Sequence, residues 1–224
     1  MTIMATPRAG GVHKGAGKMP KLLPTVIIKY GVFYITAGQA RPKSSFAAFQ
    51  VIGPSPKELT FKMVRDTRFS HDKSPYNPAF RAHISSMGKL PIPVGYYLMI
   101  KPGGQSFLGG GLFADMFKDA TRMVRDYISA HGAEWETIIT APSFQKHFTV
   151  GGTALKNVPA GYEKEHPQAK YLKFKSWYLE YPFQDEVFAD SRQFLSTATD
   201  IFRRMKPFND YLNKALAGFQ MPAR

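Results

Sequence analysis

The chain has 224 residues, which is enough for one sizeable domain with or without an appendage. It contains no cysteine, and this excludes disulfides, thiolate catalysis and cysteine-ligated zinc. Its apolar runs are far shorter than the ~20 residues of a membrane-spanning helix, and its N-terminus lacks the pattern of a signal peptide. We therefore expect a cytoplasmic protein without a membrane partner.

The net charge of +14 is unevenly distributed along the chain. Residues 1–62 contain nine Lys or Arg and one Glu, whereas residues 63–224 contain 21 Lys or Arg and 15 Asp or Glu. Because more than half of the excess lies in the first segment, the high isoelectric point alone does not indicate nucleic-acid binding. Residues 1–24 are basic and rich in Gly and Pro, which predicts an arm that is disordered or not native to the protein. Residues 25–224 are predicted to form a single domain.

Short strand-forming runs dominate the first half of the chain. Residues 25–35 are rich in β-branched and aromatic residues, which predicts one or two strands. Residues 59–65 alternate in polarity, which predicts a strand that would deliver Arg65 to its end. A long irregular connection, of the kind that often carries function, is then bracketed by prolines. These prolines are Pro75, Pro78, Pro91 and Pro93.

A hairpin and a helix are the clearest elements of the middle of the chain. Strands are predicted over residues 95–101 and 106–113, and the Pro-Gly-Gly turn between them indicates a hairpin. Asp115 is a suitable N-cap for an amphipathic helix that ends at Gly132. Two shorter helices are predicted to follow, over residues 133–140 and 143–148.

The last part of the chain predicts one strand and two helices. Residues 171–181 alternate along their length, so a long strand would place Lys173 and Lys175 on the same side. Apolar residues then recur every three or four positions in residues 185–204 and 207–217, which predicts two closing helices. Strands followed by helices indicate an α+β domain. We expect a mixed, mainly antiparallel sheet packed with helices from the second half of the chain.

The run from Arg65 to Tyr76 concentrates cations and carboxylates within twelve residues. Its cations can bind an oxyanion, because Arg presents a rigid fork and Lys a mobile point charge. The alternative is that Asp66 and Asp72 pair with these cations in a purely structural network. The candidate ligand-binding residues are Arg65, Arg68 and Lys73 of this run, with Lys101, Lys173 and Lys175 from neighbouring strands.

A glycine-rich segment over residues 103–111 is a second candidate binding element. It has neither the Gly-Lys-Ser/Thr ending of a P-loop nor the strand-to-helix position of a dinucleotide fingerprint. Gly109 and Gly110 are predicted to permit a bulge, or a close approach of the backbone to a ligand or another strand.

Asp72, Tyr76 and His166 are the candidate residues for moving a proton, if the protein is an enzyme. The neighbouring Ser70, His71 and Asp72 are not a catalytic triad, because adjacent side chains point in different directions. An atypical serine esterase built from distant residues stays an alternative. The six histidines show no metal-binding spacing, so no metal or other cofactor is expected.

Residues 65–85, beginning Arg-Asp-Thr-Arg-Phe-Ser-His-Asp-Lys-Ser-Pro-Tyr, resemble the signature of a widespread, mostly bacterial domain-of-unknown-function family, number two-four-six-one. The resemblance covers about residues 63–221. Members of this family usually begin with helices that carry an Asn-Asn-x-Arg-x-Trp-Phe-like motif, and this motif is missing from residues 1–62. The family has no assigned activity, so the resemblance implies a fold and no reaction. Further blocks of the signature lie at residues 95–104, 106–112, 155–162, 166–167, 171–177 and 205–209.

The residues thus favour a protein that binds, and if an enzyme transforms, a small anionic ligand bearing a phosphate or carboxylate group. A structural or interaction protein with a buried salt-bridge network is the first alternative, and the atypical esterase is the second. Nucleic acid is a further possible partner that the residues do not favour, because it needs cations spread over an exposed face with aromatic rings between them. The sequence gives no indication of the oligomeric state.

Overall fold

The computed structural model of the protein describes residues 25–29, 32–36, 56–113 and 117–222. The predicted N-terminal arm and the predicted N-cap Asp115 lie outside these residues. The strands are β1 (Thr25–Lys29), β2 (Val32–Thr36), β3 (Phe80–Ile84), β4 (Tyr96–Ile100), β5 (Ser106–Leu112) and β6 (Trp177–Phe183). The helices are α1 (Pro56–Leu59), α2 (Lys118–Ala130), α3 (Gly132–Thr140), α4 (Pro142–Gln145), α5 (Ala169–Leu172) and α6 (Ser191–Ala215), with a 3-10 helix (Asp185–Ala189) before α6.

The central element is a four-stranded sheet with the order β3-β4-β5-β6. All its pairings are antiparallel, and Leu98 of β4 lies opposite Ala82 on one side and Leu108 on the other. The strands β1 and β2 form a separate two-stranded antiparallel sheet. The prediction of an α+β fold with a mixed, mainly antiparallel sheet is confirmed, and the pairings in the described residues are all antiparallel. The β4–β5 hairpin is also confirmed, and the one or two strands predicted over residues 25–35 are two, β1 and β2.

The core lies between one face of the sheet and the helices. Alternate residues of β4 are buried on this face, as expected for a strand covered on one side; they are Tyr96, Leu98 and Ile100. In α6 the buried residues recur at helical spacing, so one stripe of the helix faces the sheet. Gly110 of β5 lets this helix approach closely, because a Cβ there would lie 3.0 Å from Met205 Sδ.

Two asparagines of α6 hold the start of β4. The side-chain amide of Asn213 accepts from the backbone N–H of Val94 at 2.7 Å and donates to the carbonyl of the same residue at 3.0 Å. Asn209 Nδ2 donates to the carbonyl of Gly95 at 3.0 Å. The C-terminal helix is therefore bonded directly to a strand more than a hundred residues earlier in the chain.

Two predictions for the region before β4 are wrong. Residues 59–65 are not a strand, because α1 ends at Leu59 and only isolated bridges follow, at Thr60 and Val64. The supposed irregular connection contains β3 instead. In this strand Phe80, Ala82 and Ile84 face the core. The run is only five residues long and lies between prolines, so the sequence pattern did not indicate a strand.

Two predictions for the end of the chain are also wrong. The segment predicted as one strand over residues 171–181 holds the end of α5, a turn and then β6, which starts only at Trp177. The two closing helices are a single helix, α6, with Pro207 in its interior. The helix continues through this proline because Met205 and Phe208 on either side of it are fully buried. None of the helices in the described residues combines the length and the apolar character of a membrane-spanning segment.

Candidate functional site

Residues 63–77 form a protruding loop, which we call the polar loop. Its two arms run side by side, since the Asn77 N–H donates to the carbonyl of Met63 at 2.6 Å and the Arg65 N–H to that of Pro75 at 3.0 Å. A turn closes its tip, where the Ser70 N–H donates to the Thr67 carbonyl at 3.3 Å. The loop therefore has a defined backbone although most of its side chains are exposed.

The charged residues of the polar loop largely bind one another. Arg65 forms an ion pair with Asp72, and Arg68 pairs with Asp66 through an Nη2–Oδ2 distance of 2.6 Å. Lys73 Nζ donates to the backbone carbonyl of Thr67 at 3.0 Å. These contacts match the structural interpretation of the run more closely than a site formed by all three of its cations.

The carboxylates of the polar loop are held in their charged form. Hydrogen bonds from Ser74, followed by that from Arg65, hold the pKa of Asp72 well below its usual range. Hydrogen bonds from Arg68 lower the pKa of Asp66. Because both acids are exposed, solvent screens these pairs and they contribute little to stability.

An open cleft of about 460 Å³ lies between the base of the polar loop and β3, and we call it the basic cleft. Four cationic side chains line it, and they come from different segments of the chain. Lys62 directly precedes the polar loop, Arg65 belongs to its first arm, Arg81 to β3, and Lys89 to the turn after β3. None of the ion pairs among the described residues involves Lys62, Arg81 or Lys89.

The remaining walls of the basic cleft are apolar or neutral, with one exception. Phe61 and Val64 supply apolar surface, and Asn77 is tied to the backbone because its Nδ2 donates to the Lys62 carbonyl at 2.8 Å. The exception is Asp66, whose charge is offset by the paired Arg68. The cleft therefore has a net positive charge, and three of its four cations have no carboxylate partner within the described ranges.

The other predicted cations lie elsewhere. Lys173 and Lys175 both lie just before β6, and the backbone N–H of Lys175 donates to the carbonyl of Thr153 at 2.8 Å. The outer strands β3 and β6 are three strand spacings apart, or roughly 14 Å. Lys101 follows β4 at the hairpin turn, where its N–H donates to Ser106 Oγ at 2.9 Å. The structure thus brings only Arg65 of the predicted cations to the basic cleft.

The three candidate proton-transfer residues are not brought together. Asp72 and Tyr76 both belong to the polar loop, but Asp72 is engaged by Arg65 and Ser74. His166 lies against α2, where its Nδ1 accepts from the Gln168 N–H at 3.0 Å and its Nε2 donates to the Ser129 carbonyl at 3.2 Å. Both ring nitrogens of His166 are therefore occupied by backbone groups.

The glycine-rich strand β5 serves packing on both faces. A Cβ at Gly109 would lie 3.0 Å from the Phe113 ring and 3.3 Å from Tyr97 Cβ, whereas Gly110 faces α6. Both glycines therefore allow other parts of the protein to approach the β5 backbone closely, and their positions need no ligand to explain them.

Two further kinds of chemistry find no support in the part of the chain that the structure describes. There is no group of three or more His, Asp or Glu side chains that could hold a metal ion. No serine hydroxyl in the same residues hydrogen-bonds to a histidine ring, whereas an esterase needs such a pair.

Sequence reasoning missed Lys62, Arg81 and Lys89 because each is an isolated cation in its own segment. One signal was available for Arg81: it alternates with Phe80 and Ala82, so a strand there would have placed it on the face opposite the core.

The fold and the site define an α+β protein with a basic cleft at the edge of an antiparallel sheet. The chain belongs to the family described as "Conserved hypothetical protein (DUF2461)", whose model matches residues 40–211. The matched region begins earlier than the resemblance noted from the signature blocks, at residue 40 instead of 63. No curated protein and no solved structure matches the chain.

Proposed function

We propose that the protein binds a small anionic ligand, such as one bearing a phosphate or carboxylate group, in the basic cleft. The observation that carries this proposal is the convergence of Lys62, Arg81 and Lys89, none of which has a carboxylate partner among the described residues. Like charges brought together without counter-charges repel one another. An anion in the cleft would relieve this repulsion and accept hydrogen bonds from all three.

The chemistry of the cations suits an oxyanion. Arg81 offers a planar fork, and its position is fixed because its guanidinium lies over the Phe61 ring at 5.2 Å. Lys62 and Lys89 are exposed and can adjust to the ligand. Arg65 stands at the same cleft but is partly neutralised by Asp72, so we assign it a supporting role.

Calorimetric titration of the protein with inorganic phosphate and with pyrophosphate tests the proposal. We expect saturable binding, because a specific site fills at one stoichiometry whereas generic salt effects do not saturate. Arg81→Gln and Lys89→Gln should each weaken binding by roughly 10-fold or more, since a hydrogen bond to a charged group contributes about 1.5–3 kcal/mol.

Lys146→Gln is the matched control, because Lys146 is an exposed cation that follows α4 in the helical layer. It removes the same charge and should leave the affinity unchanged. If the cleft variants and this control lose the same amount of affinity, phosphate binding depends only on the overall charge of the protein, and the proposal fails. Failure of both phosphate and pyrophosphate to bind at low salt would also count against it.

A further inference from the structure

The sheet face opposite the core carries a row of aromatic rings, which we call the aromatic strip. The rings follow one another across the strands. The Phe61 and Tyr97 centroids are 6.3 Å apart, those of Tyr97 and Phe107 5.8 Å, and those of Phe113 and Tyr178 4.8 Å. Tyr97 also meets Phe113 at 5.7 Å, which makes the row continuous.

The aromatic strip is not explained by core packing. None of its five rings belongs to the buried core or to the partly buried residues packed against that core. Phe113 is 38% exposed, and Phe61, Tyr97, Phe107 and Tyr178 are only half-buried. Rings in this state on an outer sheet face are able to stack against a ligand.

The aromatic strip and the basic cleft meet at Phe61 and Arg81. Phe61 lines the cleft and also contacts Tyr97, the next ring of the strip. Arg81 lines the cleft, and its guanidinium opposes the rise that burial causes in the pKa of Tyr97, so its charge acts directly on that ring. A ligand held by the cations therefore has an aromatic surface beside it.

We propose that the ligand of the basic cleft carries a flat aromatic ring as well as its anionic group, as a nucleoside monophosphate does. The anionic group binds Lys62, Arg81 and Lys89, and the ring stacks on the Phe61–Tyr97 end of the aromatic strip. This inference rests on the proposed anion-binding function and narrows its ligand class.

A small ligand fits this surface better than a nucleic-acid strand lying across the sheet. Glu180 of β6 is paired with Gly109, so its carboxylate lies on the same face as the strip. Although burial raises the pKa of Glu180, a carboxylate in the path of a polyanion is unfavourable. The cations, in contrast, are gathered at the β3 edge.

The test compares ligands that share a phosphate and a sugar but differ in the ring. The affinities of the four common nucleoside 5′-monophosphates and of ribose 5-phosphate are measured by calorimetry on the whole chain. We expect at least one nucleotide to bind about 10-fold or more tightly than ribose 5-phosphate, because stacking on an aromatic side chain adds that much affinity per base.

Variants of Tyr97 show whether the gain comes from the aromatic strip. Tyr97→Leu should reduce the advantage of the nucleotide over ribose 5-phosphate to less than about twofold, whereas Tyr97→Phe keeps the ring and should keep the advantage. Phe188→Leu removes a half-buried ring near the C-terminal end of β6 and is the matched control. A melting curve for each variant confirms that it is folded.

The outcomes separate the two proposals. If ribose 5-phosphate binds and no nucleotide binds more tightly, the ring inference is overturned and the anion site stands. If the nucleotide advantage survives in Tyr97→Leu, the ring stacks elsewhere and the assignment to the strip is wrong. If neither phosphate, ribose 5-phosphate nor any nucleotide binds, the proposed function itself fails.

Discussion

Replacing Gly111 of β5 by alanine should lower the free energy of unfolding, because both the backbone conformation and the neighbouring atoms disfavour a Cβ at this position. Its φ of +101° is one that an L-residue adopts at a cost of about 1–2 kcal/mol. A Cβ there would clash with the backbone carbonyl of Trp177 and lie 2.7 Å from Tyr178 Cα and 3.0 Å from Phe208 Cε1. Because the first two neighbours are backbone of the paired strand β6, they cannot rotate away, and overpacking of this kind adds about 1–3 kcal/mol.

Gly161 provides the matched comparison, since its φ of +95° is similar but no atom of the described residues lies within 4 Å of an added Cβ. Both alanine variants carry the same backbone strain and the same small gain from a less flexible unfolded chain. The free energy of unfolding in urea should therefore be about 1–3 kcal/mol lower for Gly111→Ala than for Gly161→Ala, or roughly 2–12 °C in Tm. Equal losses would refute the reasoning, because they would show that β5 and β6 separate freely to admit the methyl group.

Two further predictions concern a helix cap and a buried histidine. Asp190→Ala should lower the free energy of unfolding by about 0.5–2 kcal/mol, because the Asp190 carboxylate accepts from the N–H groups of Arg192 and Gln193 at the start of α6; an unchanged urea midpoint would show that the cap is not needed. Burial lowers the pKa of His83, whose Nδ1 donates to the Gly88 carbonyl. A folded-state pKa below the unfolded value means that the stability is complete above about pH 6.5 and falls as the pH drops further. Urea unfolding between about pH 7.5 and pH 5.5 should show this loss in the native chain and a smaller one in His83→Gln, and parallel losses in both would contradict it.

Much of the fold follows from local sequence patterns. The β4–β5 hairpin was predictable because two strand-forming runs flank the segment Pro102-Gly103-Gly104, whose residue types are typical of a tight turn. Pro207 shows where local rules stop: a proline normally ends or kinks a helix, but burial of the apolar residues on both sides outweighs one lost hydrogen bond. The alternation around Lys173 and Lys175 predicted a strand where the structure has a turn. The same pattern also fits a turn whose backbone is hydrogen-bonded to another segment of the chain.

The candidate site was less predictable than the fold. A run with as many charged residues as the polar loop was an obvious candidate for a binding site. However, charged residues that are close in sequence tend to pair with one another, and Arg68 and Lys73 both bind groups of their own loop. The basic cleft instead depends on tertiary structure, since Lys62, Arg81 and Lys89 meet only when the loop and β3 are side by side. No local pattern encodes that proximity.

The asparagine contacts from α6 to the residues before β4 have a consequence for biosynthesis. The strands β3 to β5 leave the ribosome early, but their apolar face is covered by α6, which is made after all of them. A growing chain therefore exposes this surface until α6 has been made, and a domain folds as a unit once its parts are present. We expect the nascent protein to depend on chaperones until α6 has been made, and messages truncated before the codons for α6 to yield aggregated products.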